Sequence, residues 1–177
     1  MSEDVHARFQ RLLHEHGPAI GRLAAAYETD PNEREDLVQD IVFALWRALP
    51  SFRGDCSEKT FLYRIAQNRG LTHRWRRKAR DARLVALKTD HDVVDPKTET
   101  TGEHNAADAG RREDLLAAVQ RLAGLHRDVM VLSLEGLTNT EIADILGITP
   151  GNVAVRLTRA RVALRAIHRS LTKAKRI

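Results

Sequence analysis

Cysteine occurs once in the 177 residues, at Cys56. No intramolecular disulfide can therefore staple the fold, and a reducing, cytoplasmic setting is the natural expectation. Long apolar runs are missing as well. The longest, Ile41 to Trp46, falls far short of the roughly 20 residues that a spanning helix needs. The opening residues, MSEDVHARFQ, mix charges of both signs, so neither a secretory signal nor membrane insertion is expected. There is no P-loop, nucleophile elbow or H-E-x-x-H helix. Eight histidines are present, but the tightest pair, His14 and His16, would fall on different faces of a helix. Neither Cys nor clustered carboxylates stand beside them. These absences argue against an enzyme, a metal site and a cofactor. No repeat at a fixed period is visible.

What is present is charge in blocks. Residues 1–50 carry a net charge of −4, residues 51–90 a net +7, residues 91–112 a net −2 and residues 113–148 a net −4. Residues 149–177 hold eight basic side chains and no acidic one. Two basic blocks, each behind an acidic and apolar one, suggest two separate polyanion-binding surfaces. With 42% hydrophobic and 30% charged residues, the composition fits a soluble, helix-rich protein.

Phe9, Leu12, Leu13, His16, Ile20, Leu23, Ala24 and Tyr27 recur at helical spacing, and Gly17-Pro18 predicts a kink or break among them. A second helix starts at Asp30-Pro31, with Asp30 as cap, Pro31 in the first position and Glu33 in an acidic first turn. Leu37, Ile41, Ala44, Leu45 and Leu49 form its core stripe. Val38, Val42, Phe43 and Trp46, interleaved with Asp36, Gln39 and Asp40, widen that stripe beyond one buried face. Periodicity leaves two readings open for Phe43 and Trp46: filling of a larger core, or a surface that docks on another protein. PSFRGDC is a loop by composition. Ser57 caps a third helix, which buries Phe61, Leu62, Ile65 and Ala66 and ends in a run of Arg and Lys around Trp75. Cations mixed with Tyr63 and Trp75 suit single-stranded or distorted nucleic acid. The plainer reading is a solvated basic helix end favoured by the macrodipole.

Residues 88–110 have low hydrophobicity and no helical period, and they read as a flexible linker. Extended, such a segment reaches roughly 75–80 Å, about two turns of DNA at ~34 Å each. Helical pattern resumes at Arg111. The most informative stretch follows, TNTEIADILGITPGNVAVRLTRARVALR from Thr138 to Arg165. Thr138 and Glu141 have capping-box spacing, Gly147 ends the short helix, and Thr149 and Pro150 start the next. Val153, Leu157, Ala160 and Leu164 line one face of that helix, leaving Asn152, Arg156, Arg159 and Arg161 on the others. A capped helix, a glycine turn and a basic second helix make a helix-turn-helix that presents a recognition helix to a major groove. The fold expected is all-α: two small helical domains, 1–87 and 111–177, joined by the linker.

Three segments together resemble the bacterial RNA polymerase sigma factors of the extracytoplasmic-function (ECF) type, in the sigma-70-like family. EDLVQDIVFALWRALPSFRGD is similar to the conserved helix and loop of region 2, and FLYRIAQNRGLTHRWRR to its promoter-melting part. LHRDVMVLSLEGLTNTEIADILGITPGNVAVRLTRARVALR is similar to region 4. The resemblance implies a factor that binds core RNA polymerase, directs it to promoters and assists melting. Asp36, Gln39, Asp40, Phe43 and Trp46 would dock on the β′ clamp helices, and the second domain would meet the β flap. Phe52, Arg53, Ser57 and Asn68 would form the pocket for a base flipped from the minus-10 element. Arg64, Arg74, Arg76 and Arg77 would hold its phosphates. Thr149, Asn152, Arg156 and Arg159 would read the minus-35 element. An anti-sigma factor is a further implied partner.

The chain departs from the family pattern at Gln67, Thr72, Trp75, Ala154 and Val155. Ala154 and Val155 offer only apolar contacts to a base edge, so Asn152, Arg156 and Arg159 carry the polar readout. By the resemblance, Cys56 would lie inside the loop that shapes the minus-10 base pocket. The competing class is a stand-alone helix-turn-helix regulator whose first 90 residues sense a signal or dimerise.

Overall fold

Helix starts follow the capping chemistry written in the sequence. The computed structural model describes residues 4–87 and 106–174, with the side chains of 84–87, 106–109, 111 and 172–174 outside that description. Helix α1 spans Val5–Tyr27, α2 Pro31–Ala48, α3 Glu58–Leu87, α4 Ala106–Gln120, α5 Gly124–Leu134, α6 Asn139–Leu146 and α7 Pro150–Ala174. One 3₁₀ turn, Leu49–Ser51, follows α2, and there is no strand among the described residues. Asp30 Oδ1 accepts from the N–H groups of Asn32 and Glu33 at 2.9 and 3.0 Å, and Ser57 Oγ accepts from Thr60 N at 3.0 Å. The capping box at the start of α6 is complete, with both the Thr138 and Glu141 side chains engaged. Gly147 closes α6 at φ +65°, a left-handed conformation that glycine adopts without a Cβ penalty.

Two expectations need correction. Helix α1 runs through Gly17-Pro18 without the break that was one of the two outcomes expected there. Proline there removes one backbone bond, and burial of Leu12, Ile20, Leu23 and Tyr27 along the same helix offsets that loss. Helix α4 begins at Ala106, five residues inside the stretch read as linker. Ala106-Ala107 are strong helix formers, and the low hydrophobicity around them hid that. The rest of the linker lies outside the described residues.

Helices α1, α2 and α3 pack on one another, and α7 packs on α4, α5 and α6. The two groups also touch each other. Helix α3 lies against α6, and α1 against α4 and α5. One apolar cluster runs from Leu12, Leu23, Ile41 and Leu62 through Val129, Leu132, Ile142 and Leu157. Fully burying each such side chain is worth about 1.5–3 kcal/mol.

Candidate nucleic-acid and polymerase interfaces

Along α2, Leu37, Ile41, Ala44 and Leu45 are buried, whereas Phe43 is 59% and Trp46 40% exposed. The two aromatics differ. Trp46 makes edge contacts with Phe9 (centroids 4.9 Å apart) and His6 (5.8 Å), which tie it to α1. Phe43 touches only the Arg47 guanidinium among the ring contacts, at 5.8 Å. Asp36 and Gln39 are exposed beside them, and Asp40 faces Arg69 at 3.7 Å. The result is an apolar and acidic surface outside the core.

In the loop before α3, Phe52 lies tilted on Phe61 (4.6 Å) with Arg8 above its ring at 4.8 Å. Phe52 is thus half-buried, Arg53 is exposed, and Ser57 is occupied as the α3 cap. Along α3, Asn68, Trp75 and Arg76 face solvent, and Trp75 is 74% exposed. Of the other three arginines, Arg64 and Arg77 are hydrogen-bonded. Arg64 Nη2 donates to the Asp144 carbonyl of α6 at 3.3 Å. The Arg74 guanidinium lies 3.4 Å from where a Cβ on Gly124 would stand, at the start of α5. Arg77 pairs with Glu28, which also meets His73 at 2.9 Å.

Glu28 is fully buried. Burial alone raises a carboxyl, but the Asp30 N–H, His73 and Arg77 together outweigh it and hold Glu28 below its usual range. Glu28, Glu33 and His73 sit close enough to share an ion. Arg77 and Arg80 already supply the positive charge there, with Arg80 Nη1 2.9 Å from Glu33 Oε1. The donor set is that of an ion-pair network between the α1–α2 corner and α3.

At the start of α7, Thr149 Oγ1 accepts from Asn152 N at 3.3 Å. Val153, Leu157 and Ala160 are buried, while Asn152, Ala154, Val155 and Arg159 are exposed and Arg156 is half-buried. None of Arg156, Arg159, Arg161 and Arg165 forms an ion pair among the described residues. These guanidiniums flank the buried stripe of α7, Arg156 and Arg159 on one side and Arg161 and Arg165 on the other.

A polar junction joins the two helix groups, and no motif pointed to it. Tyr27 Oη stands 2.7 Å from Asp128 Oδ1 and 2.7 Å from the Gln67 side-chain amide. The hydroxyl has one proton, which goes to the carboxylate. Turning the Gln67 amide by half a rotation lets its nitrogen, otherwise buried without a partner, donate to the hydroxyl. Burial pushes the Asp128 carboxyl above its usual range, although Tyr27, Gln67, Arg74 and Arg127 pull it the other way. Arg22 grips Glu135 through two bonds, Nε to Oε1 at 2.8 Å and Nη2 to Oε2 at 2.7 Å. Gln120 Nε2 donates to the Ala25 carbonyl at 2.7 Å.

Known proteins match this arrangement over most of its length. The family model for sigma-70 region 2 matches residues 12–81, and that for sigma-70 region 4 matches residues 112–164. The RNA polymerase sigma factor NccH of Alcaligenes xylosoxydans is 28% identical over 92% of this chain and 87% of its own. The ECF sigma factor SigE of Mycolicibacterium smegmatis is 32% identical over 89% of this chain and 60% of its own. The solved structure of CnrH in complex with the cytosolic domain of CnrY superposes with a TM-score of 0.63 at 26% identity, covering 92% of this chain and 88% of that one. The sigma factor RpoE of Bartonella quintana, solved with the anti-sigma factor NepR, gives 0.67 at 22% identity over 90% and 96%. Two sigma-70 models in the right order, over a fold with an exposed aromatic face and two basic ones, mean that the chain belongs to the sigma-70 family, in its ECF branch.

Proposed function

We propose that this chain divides the work of an ECF sigma factor among three surfaces. The α2 face of Asp36, Gln39, Asp40, Phe43 and Trp46 docks on the β′ clamp helices of core RNA polymerase. Phe52, Arg53, Ser57 and Asn68 hold an unstacked minus-10 base, with Arg64, Arg74, Arg76 and Arg77 on its phosphates. Thr149, Asn152, Arg156 and Arg159 read the minus-35 element, and the second unit, residues 111–177, meets the β flap. Residues 1–87 form the first unit, and residues 88–110, whose last five already belong to α4, connect the two. The protein acts on DNA in the cytoplasm as a non-enzymatic initiation factor, and an anti-sigma factor is its natural antagonist.

The observation that carries this reading is the exposed aromatic and acidic face of α2, remote in charge from both basic surfaces. A stand-alone regulator needs one DNA-reading helix and has no use for it. Run-off transcription with purified core polymerase tests the reading: promoter-dependent transcripts are expected only when the chain is added. A chain that gives no transcript yet shifts promoter DNA by itself is a regulator instead.

A further inference from the structure

Trp75 is the most exposed large apolar side chain among the described residues, and none of the three surfaces proposed above uses it. Together with Leu71 and the exposed Leu125 it gives one part of a cleft between α3 and the start of α5 an apolar lining. Arg74, Lys78 and Gly124 line that part and the next one, where Arg77 and Arg127 join them and the cleft turns cationic.

These cations are only partly answered by the protein. Arg77 is paired with Glu28, but neither Arg74 nor Lys78 forms an ion pair among the described residues. Arg127 donates from Nη2 to the Gln120 and Leu122 carbonyls, while its Nε is buried without a partner among the described residues. Burial holds Arg127 below its ordinary range, and the neighbouring Arg74 charge pushes the same way. Two carboxylates reach the cleft and both are occupied: Asp128 accepts from Tyr27, and Asp81 stands 3.9 Å from Arg77. The N-cap residue of α5, Ala123, offers that helix no side-chain acceptor, so its first N–H groups add to the positive end of the cleft.

We propose that this cleft binds a nucleotide unit, with the base against Trp75 and Leu125 and the phosphate between Arg74 and Lys78 at the start of α5. A ring platform directly beside unanswered cations suits a base joined to a phosphate better than either alone. Two sources share that chemistry: a free nucleoside phosphate, or one nucleotide of a single strand. Asn68 and Trp75 lie seven positions apart on one face of α3, roughly 10 Å along its axis, so a strand held at Asn68 could reach the cleft. The site goes beyond the sigma reading, since it requires neither polymerase nor a promoter; Arg74 is the one residue shared with the minus-10 surface.

Isothermal titration calorimetry of the full chain tests the site with four probes: ATP, adenosine, pyrophosphate, and single-stranded DNA of about five nucleotides and randomised sequence. Trp75 and Lys78 are exposed, so substituting them leaves the core intact. Trp75→Ala keeps every charge and should weaken binding roughly five-fold or more. Lys78→Gln should weaken it roughly three-fold, whereas Arg165→Gln, which removes the same charge from α7, should leave ATP binding as it was. The chain has two tryptophans, so Trp46→Phe makes Trp75 the sole reporter. Its emission should be quenched by the bound nucleotide and not by pyrophosphate.

ATP binding tighter than that of adenosine or pyrophosphate, with the oligonucleotide no better, makes the source a free nucleotide. An oligonucleotide bound roughly ten-fold tighter than ATP makes it one unit of a strand. Either result supports the site only with the loss on Trp75→Ala. Binding that survives Trp75→Ala, no binding of either probe, or quenching by pyrophosphate overturns it, as does an equal loss on Arg165→Gln. Run-off transcription is scored separately. None of these titrations contains polymerase, so failure of the site leaves the sigma reading standing, and failure of transcription leaves the site standing.

Discussion

The Tyr27 hydroxyl donates to the Asp128 carboxylate at 2.7 Å, across 101 positions of sequence and inside the protein. Tyr27 is fixed for this role from the other side too. A Cβ on Gly70 would meet its ring at 2.6 Å, so only glycine lets α3 pass so close. Replacing Tyr27 with Phe keeps the ring and strands a buried carboxylate, which should cost about 2 kcal/mol of unfolding free energy. Asp128→Asn keeps an acceptor for the hydroxyl and removes a charge that burial disfavours. Its cost should stay below about 1 kcal/mol. Urea unfolding of the two variants checks the order. Equal losses would mean that the junction needs the carboxylate's charge as well as the hydrogen bond.

Acid should weaken the fold chiefly through its glutamates. Glu28, Glu58 and Glu141 are all held below their usual range. For Glu28 and Glu58, burial alone would raise the carboxyl, but hydrogen bonds and neighbouring cations outweigh it; for Glu141, the Thr138 N–H and hydroxyl dominate. A carboxyl with a lowered folded pKa contributes stability that is complete above its unfolded value, about 4.3, and is lost as pH falls through the folded one. Asp128, raised by burial, works in the opposite sense and gains as pH falls. Three groups against one give a melting temperature that drops on acidification below about pH 4.5. Glu28→Gln should flatten that drop and, by leaving Arg77 and His73 facing a neutral group, cost about 3 kcal/mol at neutral pH. Thermal melts across the acid range check both.

The sequence was most legible where a rule is local. Thr138 with Glu141, Asp30 and Thr149 each fix a helix start through bonds spanning three residues or fewer, Gly147 ends α6 through its left-handed backbone, and the structure has them all. The core stripe of α2 and the buried face of α7 were equally readable, because helical period alone selects them. Phe43 and Trp46 were not decided by periodicity, since exposure depends on what α1 leaves uncovered. Nor was the junction legible. Tyr27 reads as one more apolar position of α1, Gln67 only as a departure from the family pattern, and Arg22 and Glu135 as surface charges. Their meeting depends on the docking of helices about a hundred residues apart, for which no short spacing exists. Arg64 and Arg77 show the same limit: basic type was readable, and engagement with Asp144 and Glu28 was not.

The two aromatics of α2 should separate stability from polymerase binding. Among the described residues Phe43 has no ring partner besides Arg47. Phe43→Ala should therefore change unfolding free energy by no more than about 0.5 kcal/mol while weakening capture by core polymerase roughly ten-fold or more. Trp46 also braces Phe9 and His6, so Trp46→Ala should lower both stability and capture. A pull-down with core enzyme beside a urea titration distinguishes them. Normal capture by Phe43→Ala would remove α2 from the polymerase interface.

Arg156 offers the cleanest separation of promoter reading from every other task. It stands half-buried on α7 between exposed Val155 and buried Leu157, with no ion pair among the described residues. Ala154 and Val155 cannot donate a hydrogen bond, which concentrates polar readout on Asn152, Arg156 and Arg159. Arg156→Ala should then reduce initiation from minus-35-containing promoters about ten-fold, within the range for one arginine lost from a base edge. Capture by core polymerase should be unchanged, because α2 is untouched. If Arg156 contacts a base, the loss should vary with the base opposite it. If it contacts only phosphate, all promoters should weaken alike and the salt dependence of binding should become shallower. Run-off transcription over a promoter set with single minus-35 substitutions, repeated at two salt concentrations, tells these apart.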